Sequence, residues 1–364
     1  MPRLSRFRPL ISLPLVVALV AFATRAVSGK EVRGGMPSPF EAPVVHAELV
    51  NLPTFSRRRA PADLAMDSLV GRSGDLRVRI LESTETDFYP ALDRQYGDVA
   101  RRPGVRGLDN LPSAVPFAFI TMAAWRQKLG SHLNGYHLGY WPAELRKVAS
   151  GADNPAGFIE VTRDNLDTQL STHFRLRDFV THDQSWVWPK YVVLREDLLD
   201  KLELVLDALQ SAGVETRHVV VLSGFRSPQY NARGVGEGMA RASRHQFGDA
   251  SDIIIDANGD GRMDDLNLDG RVTFADLQVV DRAVQHVERR YPELVGGLGL
   301  YHEMGPSGPF AHIDVRGTRV RWTNARRQQT TVASAGTVVK SPVARASGTC
   351  QAEGAMAVLC RGMK

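Results

Sequence analysis

Two segments constrain this chain more than any others: Ser243-Arg244-His245-Gln246-Phe247-Gly248-Asp249-Ala250-Ser251-Asp252 and the distant Phe310-Ala311-His312-Ile313-Asp314. Gly248 permits a sharp turn after His245, and Ala250 shares a strand face with Asp252 at period two. The same period sets Phe310, His312 and Asp314 on one face of a later strand. A fold that brings the two strands together converges two imidazoles and a carboxylate on one point. His245, Asp252 and His312 then make a three-ligand zinc set with an open fourth position, as a hydrolytic zinc requires. The only cysteines are Cys350 and Cys360, so the site must use nitrogen and oxygen ligands.

The first residues bear on where the protein works. Arg3, Arg6 and Arg8 precede an apolar run from Leu10 to Ala23 that ends among small residues, so residues 1–28 read as a secretory signal peptide. The run is shorter than the roughly 20 residues that span a bilayer, and no later run suggests a membrane span. Those 28 residues carry four arginines and no acid, so their removal takes the formal charge from +5 to +1. The basic balance therefore does not point to nucleic acid. An exported compartment, periplasmic or secreted, would also permit Cys350 and Cys360 to pair.

Residues 29–65 are rich in proline, arginine and small residues and read as a linker. Between 66 and 145, short apolar stretches such as Leu76 to Leu81, Phe117 to Trp125 and Tyr136 to Trp141 predict a small β-rich domain with no cluster that suggests chemistry. Residues 157–322 alternate as one α/β unit: an extended Gly157 to Val161, a helix from about Glu196 to Ala212 stopped by Gly213, and a strand from His218 to Leu222. Residues 323–364 are low in complexity and basic, a weakly ordered tail.

A histidine alone is ordinarily a satisfied core or surface residue. His46, His132, His137, His173, His182, His218 and His286 lack surroundings like those of His245 and His312 and read as structural, with His173 the one to reconsider.

Ser223-Gly224-Phe225-Arg226-Ser227-Pro228 with Asn231, then Ser-x-His-x-x-Gly-x-Ala-x-Asp, then His-x-Asp, resembles the zinc D-alanyl-D-alanine carboxypeptidase and murein endopeptidase family. The likeness covers about Phe158 to Trp322 and includes the lead-in from His173 to Phe179. It implies an α+β fold with a small antiparallel sheet flanked by helices, and zinc held by His245, Asp252 and His312. It also implies that Arg226 faces the substrate, whose carboxylate a guanidinium suits. The implied substrate is the peptide stem or cross-link of peptidoglycan. Carboxypeptidase and endopeptidase both fit, since the subsite loops carry no readable code.

Many relatives place a glutamate three residues before the last histidine ligand, or a histidine two before it; here Pro309 and Phe310 stand there. The proton-shuttling carboxylate must come from elsewhere. Asp314 is the first candidate, with the alternative that it only orients a ligand. Glu303 and His302 are weaker candidates.

A second constellation runs through 256–276. Asp265, Asn267, Asp269 and Asp276 stand at positions 1, 3, 5 and 12 of a calcium-loop pattern, with Gly270 at the turn and the Arg271 carbonyl at position 7. Upstream, Asp256, Asn258 and Asp260 begin the same pattern, and its twelfth position falls on Asn267. Two independent EF-hands are therefore impossible, but ligands shared through Asp264 or Asp265 could hold two ions. The expected function is an exported zinc metallopeptidase of the cell wall, stabilised by calcium. The alternative is a zinc-containing but non-hydrolytic wall-binding or interaction module, which the missing glutamate keeps open.

Overall fold

The computed structural model describes residues 69–109, 116–146, 154–235, 239–302 and 306–323. The expected signal peptide, the linker and the tail with Cys350 and Cys360 lie outside the described residues. Within them the chain is of the α+β class. Its strands are β1 (Val78–Leu81), β2 (Gly104–Gly107), β3 (Ala118–Thr121), β4 (Ala123–Ala124), β5 (His132–Leu133), β6 (Tyr136–His137), β7 (Gly157–Val161), β8 (Lys190–Val192), β9 (Val219–Ser223), β10 (Ala250–Ile255), β11 (Gly297–Tyr301), β12 (Phe310–Asp314) and β13 (Val320–Thr323). Its helices are α1 (Pro90–Tyr96), α2 (Pro142–Leu145), α3 (Glu196–Ser211), α4 (Pro228–Arg233) and α5 (Phe274–Arg290).

The sheet that matters for the site runs β13-β11-β12-β10-β9. All its neighbours are antiparallel except β11 and the edge strand β13. Two long helices cover it for reasons legible in their residues. Along α3, Leu198, Leu199, Leu202, Val205, Leu206 and Leu209 recur at helical spacing and all are buried. Gly213, at φ +88°, takes the left-handed turn that ends it. Helix α5 starts on a capping box: the Thr273 side chain accepts from Ala275 N, and Asp276 accepts from Thr273 N at 2.6 Å.

Lys201 of α3 and Glu288 of α5 meet in a buried ion pair at 2.9 Å, both side chains 0% exposed. The Lys201 ammonium also donates to the Asp314 carbonyl at 2.8 Å, and Glu288 accepts from Gly296 N at 3.1 Å and from Arg321 Nη2. The pair thus ties both helices to the strand bearing His312. Burial disfavours the lysine's charge and pushes its pKa down, while Glu288 opposes that shift. Glu288→Ala would leave the ammonium uncompensated in the interior and is expected to cost about 3–5 kcal/mol. Urea unfolding would measure it, and a loss below about 1 kcal/mol would place the pair in a far more solvated setting than its burial indicates.

The small β-rich region expected at 66–145 shares a core with the unit that follows it. Strands β1, β2 and β3 do form a small sheet, with a minor cluster of Leu69, Leu81, Leu92, Ala100, Phe117 and Phe119. But β4 pairs with β7, and Leu76, Val78, Ile120, Tyr136 and Trp141 belong to the same core as Leu202, Ile254 and Ile313. The Trp141 indole donates to Gln246 O at 2.9 Å, next to a metal-ligand candidate. The short strands of this region are too few to bury their own apolar faces, so they share the larger core. The region also holds α1 and α2, and the stretch from Tyr136 to Trp141 is strand only at its first two residues.

Candidate metal centre

One row across the main sheet builds the site. Cross-strand partners run from Ser223 to Asp252, from Asp252 to His312, from His312 to Gly299, and from Gly299 to Trp322. Directly opposed residues share a face, so Asp252 and His312 point the same way. His245 arrives from the 3-10 turn Arg244–Phe247, which ends at Gly248 in the left-handed region at φ +65°. A Cβ at residue 248 would lie 2.3 Å from the Val193 carbonyl, so glycine is required there by both space and conformation.

The three donors form a tight triangle. His245 Nε2 lies 3.0 Å from His312 Nδ1 and 3.2 Å from Asp252 Oδ1, and His312 Nδ1 lies 2.8 Å from Asp252 Oδ1. All three residues are buried. Hydrogen bonds on the far sides of the rings set the tautomers: His245 Nδ1 donates to Gly224 O at 2.7 Å, and His312 Nε2 donates to Asp314 Oδ2 at 3.2 Å. Two imidazole lone pairs and a carboxylate oxygen therefore converge on one small volume. Such an arrangement is repulsive unless a cation stands among them. The spacing is close to the ~3.3 Å between ligands on a tetrahedral ion with bonds of about 2.0–2.1 Å. The group can hold a metal ion, and it is the one group of this kind among the described residues.

The electrostatics agree. Burial pushes the His245 pKa below its ordinary value, though Asp252 opposes that, so His245 presents a neutral imidazole. Burial alone would raise Asp252, but His245 and His312 hold it well below the usual carboxylate range. For His312, burial lowers the pKa, yet hydrogen bonds to Asp252 and Asp314 outweigh burial and the net shift is upward. The upward shift means that a proton competes with a cation for His312 Nδ1. An incoming ion must displace that proton, so metal affinity is expected to rise with pH through the raised His312 range and then level off. Competition with a chromophoric chelator across that range would measure it; affinity independent of pH would contradict the proton displacement.

Asp314, read from the sequence as a proton shuttle or as a group that orients a ligand, stands against the far side of the His312 ring. It is 0% exposed, behind His312 relative to the donor triangle. Gly297 N donates to it at 2.6 Å, Arg316 N at 3.1 Å and the Arg316 guanidinium through Nε and Nη2. Burial would raise its pKa, but His312, Arg316 and Gly297 hold it far below the carboxylate range. A carboxylate so held does not take a proton near neutral pH.

Arg226 lines the cleft and also braces Asp252. Its Nη2 pairs with Asp252 Oδ2, and its Nε donates to Ser223 Oγ at 2.6 Å. The cleft has a volume of about 620 Å3, and all three donor residues line it. Tyr301 and Phe310 stack on one wall at 4.6 Å, and Trp322 lies 5.1 Å from the His312 ring. Gly299 makes room for that indole, because a Cβ there would meet it at 2.4 Å. Among the described residues lining the cleft, Asp252 is the one carboxylate. Glu303 lies outside the described residues, and His302 stacks on Phe274 at 4.3 Å. His173 pairs with Glu203 at 2.6 Å and is structural. His182, read as structural from the sequence, lines the cleft. No spacing motif marks it, and the fold alone brings it there.

The 256–276 segment folds into two turns with one hydrogen-bond plan. Asp256 and Asn258 both accept from Asp260 N, as Asp265 and Asn267 do from Asp269 N. Gly261 N and Gly270 N donate to Asp256 and Asp265, and Arg262 N and Arg271 N donate to Asp260 and Asp269. Each turn is closed by a carboxylate on its second residue, Asp264 on Ala257 N and Asp276 on Leu266 N. Asp276 also caps α5, a duty that its place in the calcium-loop pattern did not include.

Comparisons with protein-family models, with curated proteins and with solved structures found no match to this chain.

Proposed function

We propose that the protein is an exported zinc metallopeptidase that hydrolyses peptide bonds in peptidoglycan stems or cross-links, on the fold of the zinc D-alanyl-D-alanine peptidases. The observation that carries this reading is the buried His245, Asp252 and His312 triangle at the floor of a cleft lined by Arg226. The motif order noted in the sequence supports it, as do the apolar leader and the near-neutral mature charge. Zinc held there would supply Lewis acidity to a peptide carbonyl and to water.

The chain's own groups do the rest. Asp252 keeps one oxygen for the ion while its other oxygen is fixed by Arg226. The arginines lining the cleft each pair with a buried aspartate: Arg226 with Asp252, Arg244 with Asp249, and Arg316 with Asp314. An added divalent cation leaves the cleft net positive, which favours a substrate carrying a carboxylate. The Tyr301 hydroxyl accepts from Trp322 Nε1 at 2.8 Å, so its own proton is available to donate into the cleft. We assign proton transfer to His182, because imidazole is the side chain suited to it near neutral pH.

The test is product analysis of isolated peptidoglycan after incubation with the zinc-loaded mature protein, beside His182→Ala. New peptide ends, with a slower rate in the variant, would support the reading. A zinc-loaded protein that binds the wall and releases nothing would establish the other reading, a wall-binding module, which the shortage of carboxylates in the cleft favours.

We also propose calcium for the twin turns at 256–276, through Asp265, Asn267, Asp269 and the Arg271 carbonyl, with Asp256, Asn258, Asp260 and Asp264 in the first turn. Calcium is then expected to raise the melting temperature by several degrees, a gain of about 1–2 kcal/mol. Identical melting in calcium and in chelator would remove calcium from the account.

A further inference from the structure

The two-residue turn Asn134-Gly135 closes the hairpin of β5 and β6 and sets His132 directly opposite His137. The backbone groups of both residues face away from the hairpin. His132 exchanges hydrogen bonds with Leu129, its N–H donating at 3.1 Å and its carbonyl accepting at 2.8 Å. The His137 N–H donates to Gln184 Oε1 at 2.8 Å, and its carbonyl accepts from Gln184 Nε2 at 3.0 Å. The two histidines are therefore a non-hydrogen-bonded pair, the position at which opposed side chains come closest. Leu133 and Tyr136, on the other face, are buried in the main core and hold the hairpin in place. The two imidazoles are left on the outer face, stacked with ring centroids 4.4 Å apart.

The ring nitrogens are open to a ligand. His132 Nδ1 meets Ser131 Oγ at 2.9 Å, while His132 Nε2 and both ring nitrogens of His137 have no hydrogen-bond partner among the described residues. Burial, with His132 and Arg233 nearby, pushes the His137 pKa below its ordinary value against the pull of Asp183. Near neutral pH His137 therefore offers a lone pair and no charge. The Asp183 side chain is 7% exposed and lies 3.6 Å from Arg233 Nη2, and its Oδ2 accepts no hydrogen bond. Its negative charge acts on His137 and favours a cation there. Two imidazoles suit zinc, copper or nickel, and not calcium or magnesium, which take oxygen ligands. Bonds of about 2.0–2.1 Å to one ion need the rings to turn out of their stack. His132 is exposed and His137 half-buried, which leaves room for that turn.

We infer that His132 and His137 form a second metal site, a surface clamp for one transition-metal ion of the zinc, nickel or copper kind, with water completing its coordination. Neither residue lines the cleft of the donor triangle, so the two sites are separate. An ion across the pair fastens β5 to β6 and, through the Gln184 hydrogen bonds to His137, the segment that carries His182. The inference goes beyond the peptidase reading and does not depend on it. In the sequence the spacing of the two histidines fits neither a helical nor a strand face, and the hairpin alone makes them neighbours.

Nickel is the probe, titrated calorimetrically into the full, untagged mature protein after zinc loading and with calcium present throughout. Wild type is expected to take up one further equivalent, and His132→Ala and His137→Ala each to weaken that uptake by about tenfold or more. Because His132 is exposed, its variant should melt with wild type in chelator, which separates loss of a ligand from loss of the fold. His245→Ala should still take up the hairpin equivalent, so a failure of the donor triangle as a metal centre would leave this site standing. No nickel uptake by wild type, or uptake that keeps its wild-type affinity in either hairpin variant, would overturn the inference.

Discussion

His245→Ala is expected to yield a folded protein that no longer retains stoichiometric zinc and has no measurable peptidase activity. The remaining pair, Asp252 and His312, offers two donors where a tetrahedral site needs three protein ligands and an open position. The loss should also be visible without substrate. Metal that binds only the folded state adds about 4 kcal/mol when present at a thousand times its dissociation constant. Wild type should therefore melt at a clearly higher temperature in zinc than in chelator, while the variant melts alike in both. Stoichiometric zinc in His245→Ala, found by elemental analysis after dialysis, would mean that the triangle is not the metal centre.

Asp314→Ala is expected to weaken metal affinity by about 10–100-fold, the usual effect of removing a group that orients a metal-binding histidine. It should also cost about 3–5 kcal/mol in stability, since His312 Nε2–H, Gly297 N–H and Arg316 lose their common acceptor. The lower part of that range is expected because the Arg316 side chain is 24% exposed and can turn to water. Turnover at saturating zinc separates the two roles weighed for this residue. Recovery of most of the rate at high zinc fits a positioning role. A rate that stays at background in fully loaded protein would return Asp314 to the role of proton shuttle.

These two substitutions differ in what made them foreseeable. His245, Asp252 and His312 could be chosen from the sequence because glycine, alanine and strand alternation are local signals, and each limits where a neighbouring side chain can point. Asp314 was visible as a neighbour of His312, but its duty depends on Arg316 and on the Gly297 amide, which reaches it from the adjacent strand β11. His182 and Trp322 had no local signal at all. Trp322 meets His312 across Gly299, a partnership that exists only once three strands are in register.

The helices show the same division. Apolar spacing marked α3 to within a residue of its end, because helix formation acts over a few residues. The strands before residue 145 also carried a readable pattern, but whether they closed on their own core or joined another was a question of how much apolar surface they could bury by themselves. Trp141, Tyr136 and Val78 answer it by packing into the common core.

By itself the sequence determined which residues could bind a metal, where α3 begins and ends, and which faces of the site strands are polar, because all of these follow from periodicity and short-range sterics. Only the tertiary structure decided that Asp252 stands opposite His312 and that Asp314 is locked by Arg316. Those facts depend on strand register and on contacts between residues far apart in the chain, which no local pattern encodes.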